Sequence, residues 1–303
     1  MKSILGEIID WIKGSRLGSS PTDKLVILTY ILNAVIVMVF LFTFFGKEKT
    51  AEIIFKRPNL VNWIPAKKVL VKIDGILLSL PVIIDYMIFI KLDWEKKERE
   101  FAKNLSPNDG SIIDIGASLG HYTAFLAKKN PKSTIISVEA SLTNFNLLKS
   151  NCKLNNLNNI VLYNRAIFDK DDEIIEFFER KSLSAIHLQH LEALHIPSEQ
   201  IKKETVRTMT IDRLIEMENL EDITLLKMDI EGAEVLALKG ASSTLKEKKI
   251  KNMIIEYHTP KNRILIEKML KNLGYKISID ARSIFYETED FVTGHIIATL
   301  DNL

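Results

Sequence analysis

The chain has 303 residues, 47% hydrophobic and 26% charged, a composition that supplies a core and excludes a disordered or collagen-like chain. A formal charge of +2, from 41 basic and 39 acidic residues, gives no electrostatic reason to expect a nucleic-acid partner. The single cysteine, Cys152, excludes an intrachain disulfide and fits a reducing compartment.

Residues 1–24 form a short amphipathic segment. Ile4, Leu5, Ile8, Ile9 and Ile12 recur at helical spacing beside Trp11, which suits a helix lying on a membrane surface or against the globular part. Leu25 to Phe45 carries no charge, and about 21 residues at roughly 1.5 Å each would cover the hydrocarbon core of a bilayer. A single transmembrane helix is therefore expected over 25–45, with a buried core helix as the alternative. A cleavable signal fits less well, because a long segment precedes the run and no small-residue cleavage pattern follows it. Lys13, Arg16 and Lys24 precede the span, whereas Lys47, Lys49, Lys56, Arg57, Lys67 and Lys68 follow it, which leans toward a cytoplasmic C-terminal domain.

Residues 46–92 read as a linker and β-hairpin region packed on the catalytic part. Val69 to Ile73 and Ile76 to Leu80 flank Asp74-Gly75, a dipeptide that takes the positive φ angles of a tight turn. The remaining domain, 93–303, begins with a charged helix toward Leu105 and then alternates strands and helices at the spacing of βαβ units. Seven strands are expected, at Ile112 to Ile115, Thr134 to Val138, Ile160 to Tyr163, Thr224 to Met228, Asn252 to Tyr257, Lys276 to Ile279 and Thr293 to Leu300. Helices are expected at Tyr122 to Lys129, Leu142 to Leu154, Asp212 to Met217, Glu234 to Lys239 and Lys261 to Leu273. Glu173 to Phe178 and Val206 to Ile211 read as an extra β pair around an insert, Arg180 to Glu204. His187, His190 and His195 lie in that insert, without the cysteine pair or H-E-x-x-H pattern that would make them a zinc site.

The first strand of this series runs into D-I-G-A-S-L-G-H-Y-T, Asp114 to Thr123. Gly116 and Gly120 let backbone approach a ligand without a Cβ clash, and the amides opening the next helix can hold a carboxylate. Their G-x-x-x-G spacing departs from the G-x-G-x-x-G of dinucleotide folds. Glu139, ending the second strand, can accept two ribose hydroxyls. Together these features favour S-adenosylmethionine over NAD.

The sequence from about Trp94 to Leu300 resembles the FkbM-type family of S-adenosylmethionine-dependent methyltransferases, within the class I methyltransferase fold. The resemblance rests on the glycine loop, S-V-E-A at Ser137 to Ala140, T-I-D-R-L at Thr210 to Leu214, L-L-K-M-D-I-E-G-A-E-V-L-A-L-K-G-A at Leu225 to Ala241, and I-I-E-Y-H at Ile254 to His258. Ser118 departs from the family's usual asparagine. The resemblance implies a seven-stranded, mostly parallel Rossmann-like sheet with helices on both faces. It also implies methyl transfer, usually to oxygen, with a cofactor site at Asp114, Gly116, Ala117, Ser118, Gly120, Tyr122, Glu139, Ala140 and Asp229.

Asp229 and Glu231, like Glu256 and His258, are two residues apart, so each pair projects to one side wherever the chain stays extended. These four are the candidate catalytic residues. Asp229 or His258 would remove the acceptor's proton, histidine being favoured for its near-neutral pKa. Alternatively, Asp229, Glu231 and Glu256 would hold Mg²⁺, although helix-capping carboxylates account for them as well. His121, Tyr122 and Arg165 are candidates for cofactor or acceptor contacts, or for packing. The expected activity is O-methylation of a glycan, lipid-linked sugar or other membrane-proximal molecule. The alternatives are an NAD-dependent oxidoreductase and a non-catalytic membrane scaffold.

Overall fold

The computed structural model describes residues 15–34, 36–37, 68–81, 95–105, 110–180, 183–185, 201–281 and 293–300. His187, His190, His195 and the amphipathic segment over residues 4–12 lie outside the described residues.

The first helix, α1 (residues 21–34), begins earlier than the predicted span. Ser20 and Asp23 cap it reciprocally: the Asp23 N–H donates to Ser20 Oγ at 3.1 Å, and the Ser20 N–H donates back to Asp23 Oδ2 at 3.1 Å. Asp23 Oδ1 also accepts the Leu70 N–H, which ties the helix start to the hairpin of β1 (Lys68–Ile73) and β2 (Ile76–Pro81). Ile27, Tyr30, Ile31 and Ala34, one face at helical spacing, are buried with Val69, Val71, Ile76, Leu78 and Leu80. The first half of the predicted transmembrane run therefore has one face in the protein core. Leu25, Leu32 and Ile36 are exposed. Among the described residues no helix is long and apolar enough to cross a membrane; residues 35 and 38–45 of the predicted span lie outside them.

The catalytic part follows in the order α2 (Lys96–Asn104), β3 (Ser111–Ile115), α3 (His121–Lys129), β4 (Ile135–Val138), α4 (Leu142–Leu154) and β5 (Ile160–Tyr163). Then come β6 (Ala166–Ile167), β7 (Ile174–Arg180), β8 (Leu183–Ala185), β9 (Lys202–Met209), α5 (Ile211–Met217), β10 (Ile223–Met228), α6 (Glu234–Lys239) and α7 (Ser242–Lys246). The last elements are β11 (Asn252–Tyr257), α8 (Pro260–Asn272), β12 (Lys276–Ala281) and β13 (Gly294–Thr299). The seven expected strands make one sheet, ordered β12-β13-β11-β10-β3-β4-β5. Strands β3, β4, β5, β10 and β11 run parallel to their neighbours in this series, and β13 is antiparallel to both β11 and β12. This is the class I methyltransferase arrangement.

Period-two alternation covers both faces of the sheet. Ile112, Leu225 and Ile254 join the hairpin, α1 and α3 in one apolar cluster, whereas Ile113, Leu226 and Ile255 join α5, α7 and α8 in the other. The hairpin is also held by side chains of α4. The Ser79 N–H donates to Asn151 Oδ1 and the Leu77 N–H to Asn155 Oδ1, both at 2.8 Å, while Asn151 Nδ2 donates to Leu119 O within the glycine loop.

The extra β pair differs from its expected bounds. Strand β9 starts inside the expected insert, at Lys202, and ends at Met209, pairing antiparallel with β7. Thr210 does not extend it: its Oγ1 accepts the Arg213 N–H at 3.0 Å and caps α5, so Ile211 opens a helix.

Candidate active site

The chain order reverses between β3 and β10, the point at which α/β sheets open a ligand crevice at their carboxyl ends. The glycine loop leaves β3 there. Gly116, at φ +75°, lies against the tip of β10, and Gly120, at φ +89°, lies against Leu148 of α4. Ser118 between them has φ 50°, the left-handed region that asparagine tolerates better than serine. The departure from the family's asparagine thus bears on backbone conformation as well as on side-chain contact. The Ser118 N–H donates to Glu139 Oε2 at 2.7 Å, and the Ser141 N–H donates to Glu139 Oε1 at 2.8 Å. Two backbone amides thus brace the carboxylate at the tip of β4, each oxygen keeping capacity for a further donor. Burial pushes its pKa up to about 7, against the lowering effect of those amides.

Asp114 is fully buried beneath the loop, accepting the Thr123 hydroxyl at 2.6 Å. Tyr122 is buried in the hairpin-side cluster, with the Lys227 ammonium 5.4 Å from its ring centroid. Ala117 packs on Leu148 and Cys152, and the Ala140 carbonyl accepts from Asn164 Nδ2. His121 is 3% exposed among Arg99, Asp74, Lys227 and Lys103; burial first, and Arg99 next, lower its pKa to about 4. Arg165 donates to the Asn164 carbonyl.

Beyond β10 and β11, the four candidate catalytic side chains converge. His258, 2% exposed, places Nδ1 2.9 Å from Glu234 Oε1, Nε2 3.1 Å from Glu231 Oε2 and 3.7 Å from Asp229 Oδ1. Glu256 Oε1 lies 4.0 Å from the same Nε2. Burial disfavours the imidazolium, but Glu231 and Glu234 outweigh it and raise the His258 pKa well above its ordinary value. Asp229 is raised well above the usual carboxylate range, by burial first and then by Glu256. Its side chain is 25% exposed, and Oδ1 has no hydrogen-bond partner.

Sequence reasoning missed five neighbours of this cluster. Glu234, in the first turn of α6, is 0% exposed and holds His258 Nδ1, while also accepting from Asn262 Nδ2. Lys227 is 5% exposed with its ammonium 3.6 Å from Asp229 Oδ2. Its signal was available, a lysine inside the apolar run of β10, two residues before Asp229 and so on the same side. Glu95, Glu98 and His295 approach Glu256 from α2 and β13, and no local motif marks them.

Residues 114–277 match a family model described as the methyltransferase FkbM domain, so Glu95, Glu98 and His295 lie outside the matched range. The chain is 25% identical over 190 residues to Methyltransferase 1 of Beauveria bassiana (strain ARSEF 2860), covering 57% of this chain and 75% of that protein. It is 24% identical over 200 residues to methyltransferase sdnD of Sordaria araneosa, covering 57% and 76%. Among solved structures, methyltransferase FkbM from Methylobacillus flagellatus KT aligns with a TM-score of 0.45 at 18% identity, over 69% of this chain and 52% of that one. The chain thus spans about half the length of that structure.

Proposed function

This chain belongs to the methyltransferase FkbM family, and we propose that it is an S-adenosylmethionine-dependent O-methyltransferase in which Asp229 accepts the acceptor's proton. The residues present fit that cofactor: a Cβ-free cradle at Gly116 and Gly120, and a braced carboxylate at Glu139 with acceptor capacity left for ribose hydroxyls. When bound, S-adenosylmethionine supplies an electrophilic methyl group on a positively charged sulfur. Gly116 brings the cofactor loop against Asp229, so the reacting groups meet at the switch point.

The observation that carries the assignment of the base is the contrast between Asp229 and His258. Both ring nitrogens of His258 face carboxylates within 3.1 Å, leaving it no open lone pair, whereas the Asp229 side chain is 25% exposed and its Oδ1, 3.7 Å from His258 Nε2, accepts no hydrogen bond. When the methyl carbon is transferred to the acceptor oxygen, its bond to sulfur breaking with the electron pair left on sulfur, the acceptor's proton would pass to Asp229. His258 holds Glu231, and Glu234 holds His258, so the pair positions the cluster. Lys227 favours the ionised form of Asp229.

The proposed acceptor is a hydroxylated glycan or lipid-linked sugar near a membrane. In support of that, Leu25 and Leu32 on α1 and Ile36 beyond it are exposed, and the sequence stays uncharged to Phe45. Isothermal titration with S-adenosylmethionine and with NAD tests the cofactor. Binding of NAD alone would overturn the proposal. Incubation with a labelled methyl donor and membrane lipid, glycan and protein fractions tests the acceptor; label confined to protein would exclude the glycan reading.

A further inference from the structure

We propose that Glu95, Glu256 and His295 form a divalent-cation site beside the proposed methyl-transfer centre. The three residues come from separate segments: the N-terminus of α2, the end of β11 and the start of β13. Each offers one ligand atom, and these atoms all lie within 4.8 Å of one another. Glu95 is 3% exposed, Glu256 7% and His295 1%, so solvent does little to screen their charges.

The surroundings of His295 point to a cation. Its Nδ1 lies 3.2 Å from Glu98 Oε1 and its Nε2 lies 3.3 Å from Glu256 Oε2, yet neither nitrogen is aligned for a hydrogen bond. His258 differs, since its Nδ1 is hydrogen-bonded to Glu234. A buried carboxylate on one imidazole nitrogen, with the other nitrogen turned toward further carboxylates, is the arrangement that orients a metal-binding histidine. Glu98, fully buried, takes the outer role here. Three buried glutamates, Glu95, Glu98 and Glu256, surround one imidazole, with the buried Lys227 ammonium acting on Glu95 and Glu256 from beside them. One imidazole and two carboxylates suit Mn²⁺, Fe²⁺ or Zn²⁺. The ion fastens α2, which precedes the matched family domain, to the two strands that carry Glu256 and His295.

The probe is Mn²⁺ added to the full-length, metal-stripped protein, read by loss of the free-ion paramagnetic resonance signal and by thermal unfolding. Wild type is expected to take up one ion and to melt at higher temperature with it. His295→Ala and Glu95→Gln should each weaken uptake by about tenfold or more, while Glu231→Gln, in the neighbouring Asp229, Glu231 and His258 cluster, retains it. Circular dichroism of each variant without metal establishes that it is folded, and the milder Glu95→Gln carries the test if His295→Ala unfolds. No uptake by wild type, or uptake unchanged in a folded Glu95→Gln, would overturn the proposal and leave an ion-paired imidazolium. Loss in Glu231→Gln with retention in the other two would move the ion to the neighbouring cluster and equally overturn it. The readout is metal binding, so it stands apart from the methyl-transfer reading.

Discussion

The carbonyl oxygen of Asp229 occupies the space that a side chain on Gly116 would need: a Cβ built there would lie 1.7 Å from it. Beside this contact, the Asp229 N–H donates to the Ile115 carbonyl at 3.0 Å. The cofactor loop and the strand tip that carries the proposed base are therefore fitted backbone to backbone. Gly116→Ala combines a left-handed φ with a clash against main chain, neither of which a rotamer change relieves. It is expected to destabilise the protein by at least about 3 kcal/mol and to weaken S-adenosylmethionine binding in whatever fraction still folds. Urea denaturation and isothermal titration check both.

Ser118 pays the same left-handed penalty without glycine's freedom. Its contact with Glu139 is made by the backbone N–H, which any replacement but proline retains. Ser118→Asn should therefore stabilise the protein by up to about 1 kcal/mol with cofactor affinity unchanged or improved. Equal or lower stability on urea denaturation would show that the serine hydroxyl matters more than the conformation.

Glu139 links cofactor binding to pH. Its carboxyl protonates at about 7 in the folded, ligand-free protein against an ordinary 4.5. Between those values the folded state holds more protons than the unfolded chain, so this group's contribution to stability declines as pH rises through that window. Ribose hydroxyls require the ionised carboxylate, so cofactor affinity runs the other way, rising with pH up to about 7 and then levelling. Calorimetry from pH 5.5 to 8 should show this rise, and Glu139→Gln should bind weakly with that component of the pH dependence gone.

Asp229 and His258 should separate when mutated. Asp229→Asn is expected to lower kcat by about 10² to 10⁴ while S-adenosylmethionine affinity changes only a few-fold. His258→Ala leaves the fully buried Glu234 without its imidazole partner, and about 3 kcal/mol of stability should be lost along with activity. If His258→Ala were as stable as wild type and as inactive as Asp229→Asn, the histidine would regain the role of base.

Asn151 joins the hairpin to the cofactor loop by hydrogen bonds to both. Asn151 accepts from the Ser79 N–H and donates to the Leu119 carbonyl, so Asn151→Leu removes both bonds and should cost about 1–3 kcal/mol. Because Leu119 lies in the glycine loop, cofactor affinity should fall as well. Asn155→Leu, whose amide serves only the hairpin and its own helix, should lower stability with little effect on affinity. Thermal melts and calorimetry on the two variants compare the effects.

Much of the fold was legible because its signals are local. Apolar runs at the spacing of βαβ units located seven strands, and Gly116, Gly120 and Glu139 identified a cofactor loop because one βαβ unit contains them all. The boundary at Thr210 was misread because Val206 to Ile211 is apolar enough for a strand. The hydroxyl cap on the Arg213 amide decided for a helix. The uncharged run after Lys24 was harder still. Apolarity records only that a surface leaves water, and packing on a hairpin satisfies that as well as a bilayer does. Ile27, Tyr30, Ile31 and Ala34, at the start of that run, pack on Val69, Val71, Ile76, Leu78 and Leu80, far along the chain.

The sequence alone determined the order of the seven strands along the chain and the cofactor loop. Each of these follows from turn chemistry or from the two-residue period of a strand. Only the tertiary structure decided that Glu234 grips His258, that Lys227 turns toward Asp229 and that His295 stands between Glu98 and Glu256. Those side chains meet because sheet order brings β13 beside β11 and Glu98 of α2 reaches His295 of β13, an encounter between distant segments that local periodicity does not encode.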